Sequence, residues 1–430
     1  MVYCFSEKDR GDPAEKKVRQ MAKIAIMGLG VVGGGSADFL TENREKLRKV
    51  CGEYLDLKYI LDVRDLPGSP YRDLIVRDIA KIENDPEVSV VAETIGGLHP
   101  AYEYTVRLLK AGKSVVTSNK QLVSEYGAEL LALAKENGCR YLFEASTGGG
   151  IPVIGPLSRD LSGNEFSEIS GILNGTTNYI LTRMKEGGVG FETALSEAQK
   201  KGYAERDPAA DVEGVDACRK IAILAATAFG KLIPPSRIHT EGITAIRQSD
   251  VAAAASVHAA VKLLGRAIRR GGECFVLVAP FFVSDDSPLA HVDGVYNAIS
   301  VTGNYVGDVM FYGRGAGAKA TASAVVADLI EATSGVGTNP VWETAEEGFP
   351  TEFDTFSCPR YLAFSGVDRN AVRVVFGEVN FIRGAEGEVA FLTPAMTERE
   401  CADGIARLTV GGGQLLSMIR AYESGERPEA

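Results

Sequence analysis

The stretch AKIAIMGLGVVGGGSADFL, residues 22–40, decides the fold. Its first apolar run predicts a buried strand, Gly28, Gly30 and Gly33 follow with the spacing G-x-G-x-x-G, and a helical pattern continues through Phe39. In such a turn the first glycine permits a tight bend and the second lets the backbone approach a pyrophosphate. The third glycine lets the helix pack against the strand. The stretch therefore predicts a dinucleotide-binding turn.

Residues around this turn are predicted to contact the nucleotide. Leu29, Val31 and Val32 belong to the turn and to the helix start, where unpaired N–H groups face phosphates. A second strand ends near Asp62, a position from which a carboxylate binds a ribose 2′-hydroxyl. Arg64 follows at once, and an arginine there pairs with a 2′-phosphate. The sequence thus favours NADP(H), with NAD(H) as the alternative if Arg64 is only an exposed loop residue.

Strands and helices alternate through the rest of the first third of the chain. The pattern predicts strands over 89–95, 114–118 and 141–146, and helices over 100–111 and 124–137. This rhythm is typical of the doubly wound parallel sheet of α/β proteins. Ligands bind outside the carboxyl ends of such strands. We therefore expect Thr94 and Lys120 in a nucleotide crevice, although a surface lysine capping a loop would also explain Lys120.

Length and composition restrict the protein class. A chain of 430 residues with 45% hydrophobic and 24% charged residues is long enough for roughly two to four globular domains. The net charge of -11 argues against nucleic acid as a partner. The longest apolar runs are too short to span a bilayer. Residues 1–20 are polar and predict a flexible extension rather than a secretory signal, and Met21 is an alternative start.

The cysteines argue against disulfide, zinc and thiol chemistry. The seven of them are scattered, and none forms a Cys-x-x-Cys pair. Reduced thiols in the cytoplasm are therefore expected. A thiol mechanism needs a partner base, usually histidine, and the 4 histidines have no cysteine near them in sequence. Hydride transfer without an acyl-enzyme is favoured.

A run of acidic residues closes with a lysine in GYAERDPAADVEGVDACRK, residues 202–220. If its end is helical, Asp216 and Lys220 lie four residues apart on one face, with the acid nearer the N-terminus. A nearby aspartate offsets the tendency of a partly buried lysine to lose its charge. Composition alone favours a solvated helix face as the explanation of the run, and Asp207 and Glu213 are expected to be structural or exposed.

Six motifs in order carry a family resemblance. They are GLGVVGGG (28–35), TSNKQLVS (117–124), EASTGGGIPVI (144–154), ILNGTTNYIL (172–181), GYAERDPAADVEGVDACRKIAILA (202–225) and FYGRGAGAKATASAVVADLI (311–330). From about residue 22 to 335 the chain resembles homoserine dehydrogenase. The resemblance implies a cytoplasmic pyridine-nucleotide enzyme that interconverts L-homoserine and L-aspartate 4-semialdehyde in threonine, methionine and isoleucine biosynthesis.

The same resemblance implies roles for individual residues. Lys220 is the proton donor or acceptor, Asp216 lies beside it, and Lys120 lies near both nicotinamide and substrate. Glu205 and Asp211 hold the substrate amino group. Carboxylates of this kind are the chemical complement of an α-ammonium group. From its residues, ILNGTTNYIL is interpreted as a turn or helix cap. The resemblance instead places this turn beside the substrate and a subunit contact, and no catalytic role is assigned to it.

A monovalent cation, usually sodium, is also implied by the resemblance. It is held mostly through backbone oxygens near Glu144, Thr147, Gly149 and Ile151. Gly315 precedes a helix in the last motif and is predicted as a second nucleotide contact.

Four regions are predicted along the chain. After the extension over 1–20, a nucleotide-binding domain covers 21–150 and also includes 317–345. A mixed α+β catalytic and dimerisation domain covers 151–316, and 356–424 resembles the small ferredoxin-like module called ACT. Arg369 and Asn370 stand where that module usually has Pro-Gly, so a purely structural or dimerising module is the alternative to an effector site. A homodimer or homotetramer is implied.

Two other functions compete with the main interpretation. The first is another Rossmann dehydrogenase that acts on a small amino or hydroxy compound. It would also take a hydride from the cofactor and a proton from the protein, as aldehyde reduction does. A non-catalytic nucleotide sensor is the alternative from a different class. Lys120 and Lys220 argue against a sensor, because a sensor has no need of an acid.

Overall fold

A computed structural model describes residues 22–334 and 339–423. The extension predicted over 1–20 and the alternative start at Met21 lie outside these residues. Within the two described ranges, no helix has both the length and the apolar character needed to cross a bilayer.

The first sheet has six parallel strands flanked by helices. The strands are β1 Ala22–Met27, β2 Leu55–Leu61, β3 Ile75–Val76, β4 Val88–Glu93, β5 Ser114–Thr117 and β6 Tyr141–Leu142, and the helices are α1 Val31–Glu42, α2 Arg44–Cys51, α3 Ala80–Glu83, α4 Ala101–Lys110 and α5 Lys120–Glu136. The strand order is β3-β2-β1-β4-β5-β6. The order reverses between β1 and β4, which creates a crevice at the carboxyl ends of these strands. The predicted doubly wound sheet is confirmed.

Two elements of this sheet differ from the sequence prediction. Helix α5 begins at Lys120 and not at Ser124, because Asn119 caps it by accepting a hydrogen bond from the Leu122 N–H at 3.1 Å. The strand predicted over 141–146 ends at Leu142, and a single 3₁₀ turn covers 144–146. Both differences occur where the chain turns into the crevice.

The middle of the chain adds helices and a mostly antiparallel sheet. Its elements are α6 Ile154–Ser158, β7 Phe166–Ile172, α7 Gly175–Gly187, α8 Phe191–Lys200, α9 Ala209–Val212, α10 Val215–Phe229, β8 Lys231–Leu232, β9 His239–Thr240, α11 Gln248–Ser256, β10 Ala259–Arg270, β11 Glu273–Ser284, β12 Tyr296–Gly303, β13 Gly307–Arg314 and α12 Ala318–Ser334. Helix α10 lies close against β10, since a Cβ at Gly265 would be 3.1 Å from the Ile221 Cβ. The close approach buries most of α10 and fixes its direction.

Helix α12 packs against the first sheet although it follows the second in the chain. A Cβ at Gly35 on α1 would be 3.3 Å from the Ala322 Cβ, so the two helices touch. Val325 and Leu329 belong to the same apolar core as Ile24 of β1. The domain limits proposed from the sequence stay predictions, and residues 335–338 lie outside the described ranges.

The remaining elements form a β-α-β-β-α-β unit and, besides it, three strands of two residues each. They are β14 Glu343–Thr344, β15 Ser357–Cys358, β16 Arg360–Ser365, α13 Arg369–Phe376, β17 Asn380–Ile382, β18 Glu388–Leu392, β19 Met396–Thr397, α14 Glu398–Val410 and β20 Gln414–Tyr422. Its antiparallel strands run β20-β16-β18-β17. Strand β20 also pairs with β11 in parallel over 281–283, which makes one continuous sheet with the middle region. An ACT-like regulatory role for this unit stays a prediction.

Candidate active site

A cleft of about 550 Å³ lies between the first sheet and the middle region. Its walls include residues from all six motifs. The predicted site residues that line it are Val32, Lys120, Thr147, Gly149, Glu205, Asp211, Asp216, Lys220 and Gly315. Residues that are more than 280 positions apart in sequence therefore meet at one opening. The other predicted residues lie outside this lining, in the glycine turn, beside it, or behind the loop after β6.

Asp216 lies between two lysines on the wall of the cleft. Its Oδ2 is 2.7 Å from Lys220 Nζ and its Oδ1 is 2.7 Å from Lys120 Nζ. Asp216 is 5% exposed and Lys220 8%, whereas the Lys120 side chain is 40% exposed. Burial raises the pKa of Asp216, but the ammonium groups of Lys220 and Lys120 outweigh it and hold that pKa well below its ordinary value. The carboxylate stays ionised between two cations.

Helix α10 and the turn before α7 fix Lys220. Asp216 and Lys220 are four residues apart on α10, with the acid in the first turn, where the helix dipole favours an anion. Lys220 Nζ also donates to the Leu173 carbonyl oxygen at 2.7 Å. An ammonium group has three donors. Two of them are used here, so one N–H of Lys220 is left for the cleft.

The other acidic residues of the stretch divide into two groups. Glu205 and Asp211 line the cleft, and Asp211 Oδ1 accepts a hydrogen bond from Asn174 Nδ2 at 2.7 Å. Asp207 and Glu213 are exposed and are absent from the lining. The Asp207 carboxylate accepts a hydrogen bond from a backbone N–H two residues further on at 3.2 Å. The acidic run is therefore neither wholly functional nor wholly a solvated face.

Asn174 has a second role in the site, beyond that of a helix cap, which the sequence analysis did not assign to its side chain. As expected of a cap, its Oδ1 accepts a hydrogen bond from the Thr177 N–H at 2.9 Å. Its Nδ2 also donates to Asp211 and, at 2.8 Å, to Asp216 Oδ2. The cap uses only the oxygen of the amide. The two amide hydrogens were the signal that a second role was available.

The glycine turn leaves backbone open at the start of α1. Gly28 has a φ of 90°, and a Cβ at Gly33 would lie 1.9 Å from the Gly28 carbonyl oxygen. At Gly30, by contrast, a Cβ would meet nothing within 4 Å, and no side chain caps the helix. Thr94 donates its hydroxyl to the carbonyl oxygens of Met27 and Gly28. Thr94 thus braces the turn with its hydroxyl hydrogen, and its hydroxyl oxygen can still accept a hydrogen bond from a ligand.

Arg64 forms an ion pair beside this turn. Its Nε and Nη2 donate to the Asp62 carboxylate at 2.9 and 2.7 Å, and Nη2 also donates to the Leu29 carbonyl oxygen. The Leu29 N–H donates to Asp62 as well, at 2.8 Å. The hydrogen bonds from Arg64 hold the pKa of Asp62 well below its usual range. The carboxylate that would accept a ribose 2′-hydroxyl is therefore already engaged, and the half-exposed guanidinium lies over it.

The predicted cation residues offer backbone rather than carboxylate oxygens. The Glu144 carboxylate accepts hydrogen bonds from three consecutive backbone N–H groups, those of residues 153–155, at 2.7 to 2.9 Å. The Thr147 hydroxyl oxygen is buried and has no hydrogen-bond partner within the described ranges. Gly149 approaches Gly315, whose oxygen would lie 2.3 Å from an added Cβ. Ile151 is buried, and its N–H donates to the Gly148 carbonyl oxygen.

Clusters of ionisable ligands and reactive thiols are absent from the described residues. Within 22–334 and 339–423, no group of three or more His, Cys, Asp or Glu residues could hold a metal ion. The six cysteines of these ranges are free thiols, and none lines the cleft. Burial raises the pKa of Cys218, on the same helix as Lys220, above its ordinary value. A thiolate nucleophile is therefore not part of this cleft.

Comparisons with known proteins agree on one family. A family model described as homoserine dehydrogenase matches residues 152–330, and one described as its NAD binding domain matches residues 28–144. A homoserine dehydrogenase of Synechocystis sp. is 42% identical over 315 residues, which are 72% of this chain and 72% of that protein.

Solved structures match over more of the chain. The crystal structure of a homoserine dehydrogenase from Thiobacillus denitrificans has a TM-score of 0.85 and 32% identity, and it covers 94% of this chain and 98% of its own. A hyperthermophilic archaeal homoserine dehydrogenase in complex with NADPH has a TM-score of 0.63 and 29% identity, with coverage of 74% and 99%. The likeness thus extends over both sheets.

Proposed function

This chain belongs to the homoserine dehydrogenase family of oxidoreductases, and we propose that its cleft interconverts L-homoserine and L-aspartate 4-semialdehyde with NADP(H), using Lys220 as proton donor and acceptor. One observation carries the proposal. Two lysine ammonium groups flank a single buried carboxylate on the wall of a cleft that is also lined by Val32 of the glycine turn.

The protein supplies charge and one proton in this mechanism. The bound nicotinamide supplies or accepts the hydride. In the direction of reduction, the aldehyde oxygen gains negative charge, and the free N–H of Lys220 donates its proton to that oxygen. Asp216 holds the ammonium of Lys220 in position, and Lys120, on its other oxygen, adds positive charge next to the developing alkoxide. In the reverse direction Lys220 removes the hydroxyl proton.

Glu205 and Asp211 are proposed to bind the substrate α-ammonium group. Both line the cleft that contains Lys220. A substrate of this size carries an ammonium and a carboxylate at one end and the reacting carbon at the other. The two negatively charged carboxylates complement the positively charged ammonium group of such a molecule. The substrate would then lie with its reacting carbon toward Lys220 and Lys120.

NADP(H) is proposed as the preferred nucleotide. Arg64 lies next to Leu29 of the turn, and its guanidinium is about half exposed. The related archaeal enzyme binds NADPH, which supports the same preference here. The glycine turn, with Gly28, Leu29, Gly30, Val31, Val32 and Gly33, would hold the pyrophosphate at the start of α1. Gly315, on the opposite wall, is proposed as the second contact.

A monovalent cation is proposed near the loop after β6. The backbone oxygens of Glu144, Thr147, Gly149 and Ile151 would be its ligands, and the unpartnered Thr147 hydroxyl is one further oxygen. The Glu144 side chain is already used, so its contribution is limited to the backbone. Such an ion would hold this loop against Gly315.

A homodimer or homotetramer is proposed on the basis of strand β13. This strand lies at the edge of the large sheet, and both Met310 and Tyr312 on it are exposed. An exposed edge with apolar side chains is a common site of pairing between chains. The mass measured by light scattering after gel filtration would distinguish a monomer from these assemblies.

An assay of cofactor oxidation tests the function. L-Aspartate 4-semialdehyde is incubated with the protein and either NADPH or NADH, and absorbance at the nicotinamide band is followed. We expect the reduced nucleotide to be consumed only when L-aspartate 4-semialdehyde is present, and kcat/KM to be higher with NADPH than with NADH. Turnover only with another small aldehyde or keto acid would indicate a different Rossmann dehydrogenase. Cofactor binding without any turnover would indicate a sensor.

A further inference from the structure

The Asn174 side chain connects the two acidic residues of the cleft that have different proposed roles. Its Nδ2 donates to Asp211 Oδ1 at 2.7 Å and to Asp216 Oδ2 at 2.8 Å. An amide nitrogen has two hydrogens, so each carboxylate receives one. Asn174 is buried, and it lines the cleft. One neutral side chain therefore separates two carboxylates that would otherwise repel each other across a short gap.

The orientation of this amide is determined by the helix that it caps. Asn174 Oδ1 accepts a hydrogen bond from the Thr177 N–H, which lies at the start of α7. The reversed amide would place its oxygen against two carboxylates and its NH₂ group against an N–H donor. Hydrogen-bond complementarity therefore allows one orientation only. The helix cap aims the two donors at Asp211 and Asp216.

Leu173, the residue before Asn174, holds Lys220, whereas Asn174 holds Asp216. The Leu173 carbonyl oxygen accepts from Lys220 Nζ at 2.7 Å. Two consecutive residues at the end of β7 thus fix both Asp216 and Lys220. Through Asp211 the same turn also reaches α9, whereas Asp216 and Lys220 are on α10. The turn after β7 ties together the two helices that form one wall of the cleft.

We propose that Asn174 is a positioning residue that keeps the ammonium-binding Asp211 and the proton-transfer pair Asp216–Lys220 at a fixed spacing. The inference rests on the proposed function. Its consequence is that Asn174 affects homoserine binding and proton transfer together, without contributing to nucleotide binding. The distance between the proposed α-ammonium subsite and Lys220 is then set by the two hydrogen bonds of one amide group.

The variants Asn174→Ser and Asn174→Asp separate bridging from capping. Serine and aspartate are both good helix caps, so α7 keeps its N-terminal hydrogen bond in each. Serine removes the two amide donors, and aspartate replaces them with a third carboxylate. The matched control is Asp368→Ser. The Asp368 carboxylate caps α13 by accepting a hydrogen bond from the Ala371 N–H at 2.8 Å, and Asp368 is not among the residues that line the cleft.

Steady-state kinetics with homoserine and NADP⁺ give the main measurement. For Asn174→Ser we expect kcat to fall and the homoserine KM to rise, together reducing kcat/KM roughly 10- to 100-fold, as loss of hydrogen bonds to charged groups does. The NADP⁺ dissociation constant should stay within about twofold of the wild type. Asp368→Ser should leave all three parameters unchanged.

The pH dependence of Asn174→Asp gives a second, independent measurement. Three carboxylates in contact favour uptake of one proton, and a protonated carboxyl again donates a hydrogen bond to its neighbour. The ratio of kcat/KM for Asn174→Asp to that for Asn174→Ser should therefore increase as the pH is lowered from 9 to 6. A cap without a bridging role gives a ratio that does not depend on pH.

Three results would overturn the inference. They are wild-type kinetics for Asn174→Ser, equal losses in homoserine and NADP⁺ binding, and a pH-independent ratio of the two variants. If Asn174→Ser does not fold, the ratio of kcat/KM for Asn174→Asp to that for the wild type is measured over the same pH range, and a ratio that does not depend on pH overturns the inference. Failure of the proposed function itself is distinguishable, because the wild-type protein would then not oxidise homoserine at all.

Discussion

Among the described residues, two of the clusters of buried charged side chains differ in their balance of charge and in their access to a ligand. The cleft cluster consists of Lys120, Asp216 and Lys220. The tail cluster consists of Glu241, Arg360, Glu398 and Arg420, and it joins the C-terminal unit to the middle region. In the tail cluster Arg420 donates to Glu398 at 2.7 and 3.0 Å and to Glu241 at 2.9 Å.

The tail cluster is balanced in charge, and the cleft cluster is not. Two guanidinium groups face two carboxylates in the tail cluster, and Arg360 also donates to the carbonyl oxygens of Cys358 and Met396. The cleft cluster has two cations for one carboxylate, and it opens onto about 550 Å³ of cleft. Burial of charge by itself therefore does not indicate catalysis. An unused donor with access to a ligand does.

The largest expected effect is the loss of activity on breaking the cleft cluster. Lys220→Met removes the proposed acid, so kcat/KM for aspartate semialdehyde should fall by roughly 10² to 10⁴, the usual contribution of general acid catalysis. Binding of NADPH, followed by fluorescence titration, should persist, because Lys220 is not among the residues proposed to hold the nucleotide. Unchanged turnover would mean that another group delivers the proton.

Breaking the tail cluster should act on stability instead. Arg420→Met removes an almost fully buried guanidinium that pairs with two partly buried carboxylates, Glu241 and Glu398, so the free energy of unfolding should fall by about 3–5 kcal/mol. Urea unfolding measures it. The matched control is Arg399→Met, whose ion pair with Asp354 is exposed and should contribute about 0–1 kcal/mol. Similar losses for both variants would remove the distinction between the tail cluster and a surface pair.

An ion pair of intermediate exposure sharpens the comparison. Asp62 is buried while the Arg64 side chain is 54% exposed, so this pair is anchored on one side and open to a ligand on the other. Arg64→Ala should raise the NADPH KM roughly 10- to 100-fold and change the NADH KM little. Arg44→Ala, which breaks an exposed pair with Asp56, is the control. Equal losses with both nucleotides would rule out Arg64 as the phosphate contact.

The smallest expected effect is a pH dependence of stability. Burial raises the pKa of Glu241, but His239 and Arg420 outweigh it and lower that pKa to about 2. A lowered pKa means that the stabilisation is complete above the unfolded-state value and is lost as the pH falls toward 2. Between pH 5 and pH 3.5 the wild type should therefore lose about 1 kcal/mol more than Glu241→Gln. The free energy of unfolding is measured with urea at both pH values. Equal decreases for the wild type and Glu241→Gln would contradict the lowered pKa.

Much of the fold was predictable because its signals are local. The apolar runs and the glycine spacing predict the parallel sheet, and the family models confirm both the homoserine dehydrogenase prediction and its nucleotide-binding region. The start of α5 was predicted too late, because the helix begins directly after its cap at Asn119 and the apolar pattern used for the prediction begins a few residues further on. The 3₁₀ turn over 144–146 forms where the Glu144 carboxylate accepts hydrogen bonds from N–H groups at the start of α6. The periodicity of apolar residues does not reveal this contact.

The site was less predictable where its geometry depends on contacts between distant segments. The pair of Asp216 and Lys220 follows from helical spacing, but the second contact of Asp216, with Lys120, joins segments almost 100 residues apart. The bridge from Asn174 depends on how α7, α9 and α10 meet. The use of the Thr94 hydroxyl inside the turn depends in the same way on the pairing of β1 with β4. No local pattern carries that information.

The pairing of β11 with β20 has a consequence for synthesis of the chain. About 130 residues separate the end of β11 from the start of β20. At roughly 5–20 residues per second, a ribosome needs roughly 7–26 seconds to make them. Throughout that interval, Phe281 to Val283 of β11 are paired only with β10, and their other edge lacks its partner β20. Chaperone demand should therefore peak late in translation and end when the last strand arrives.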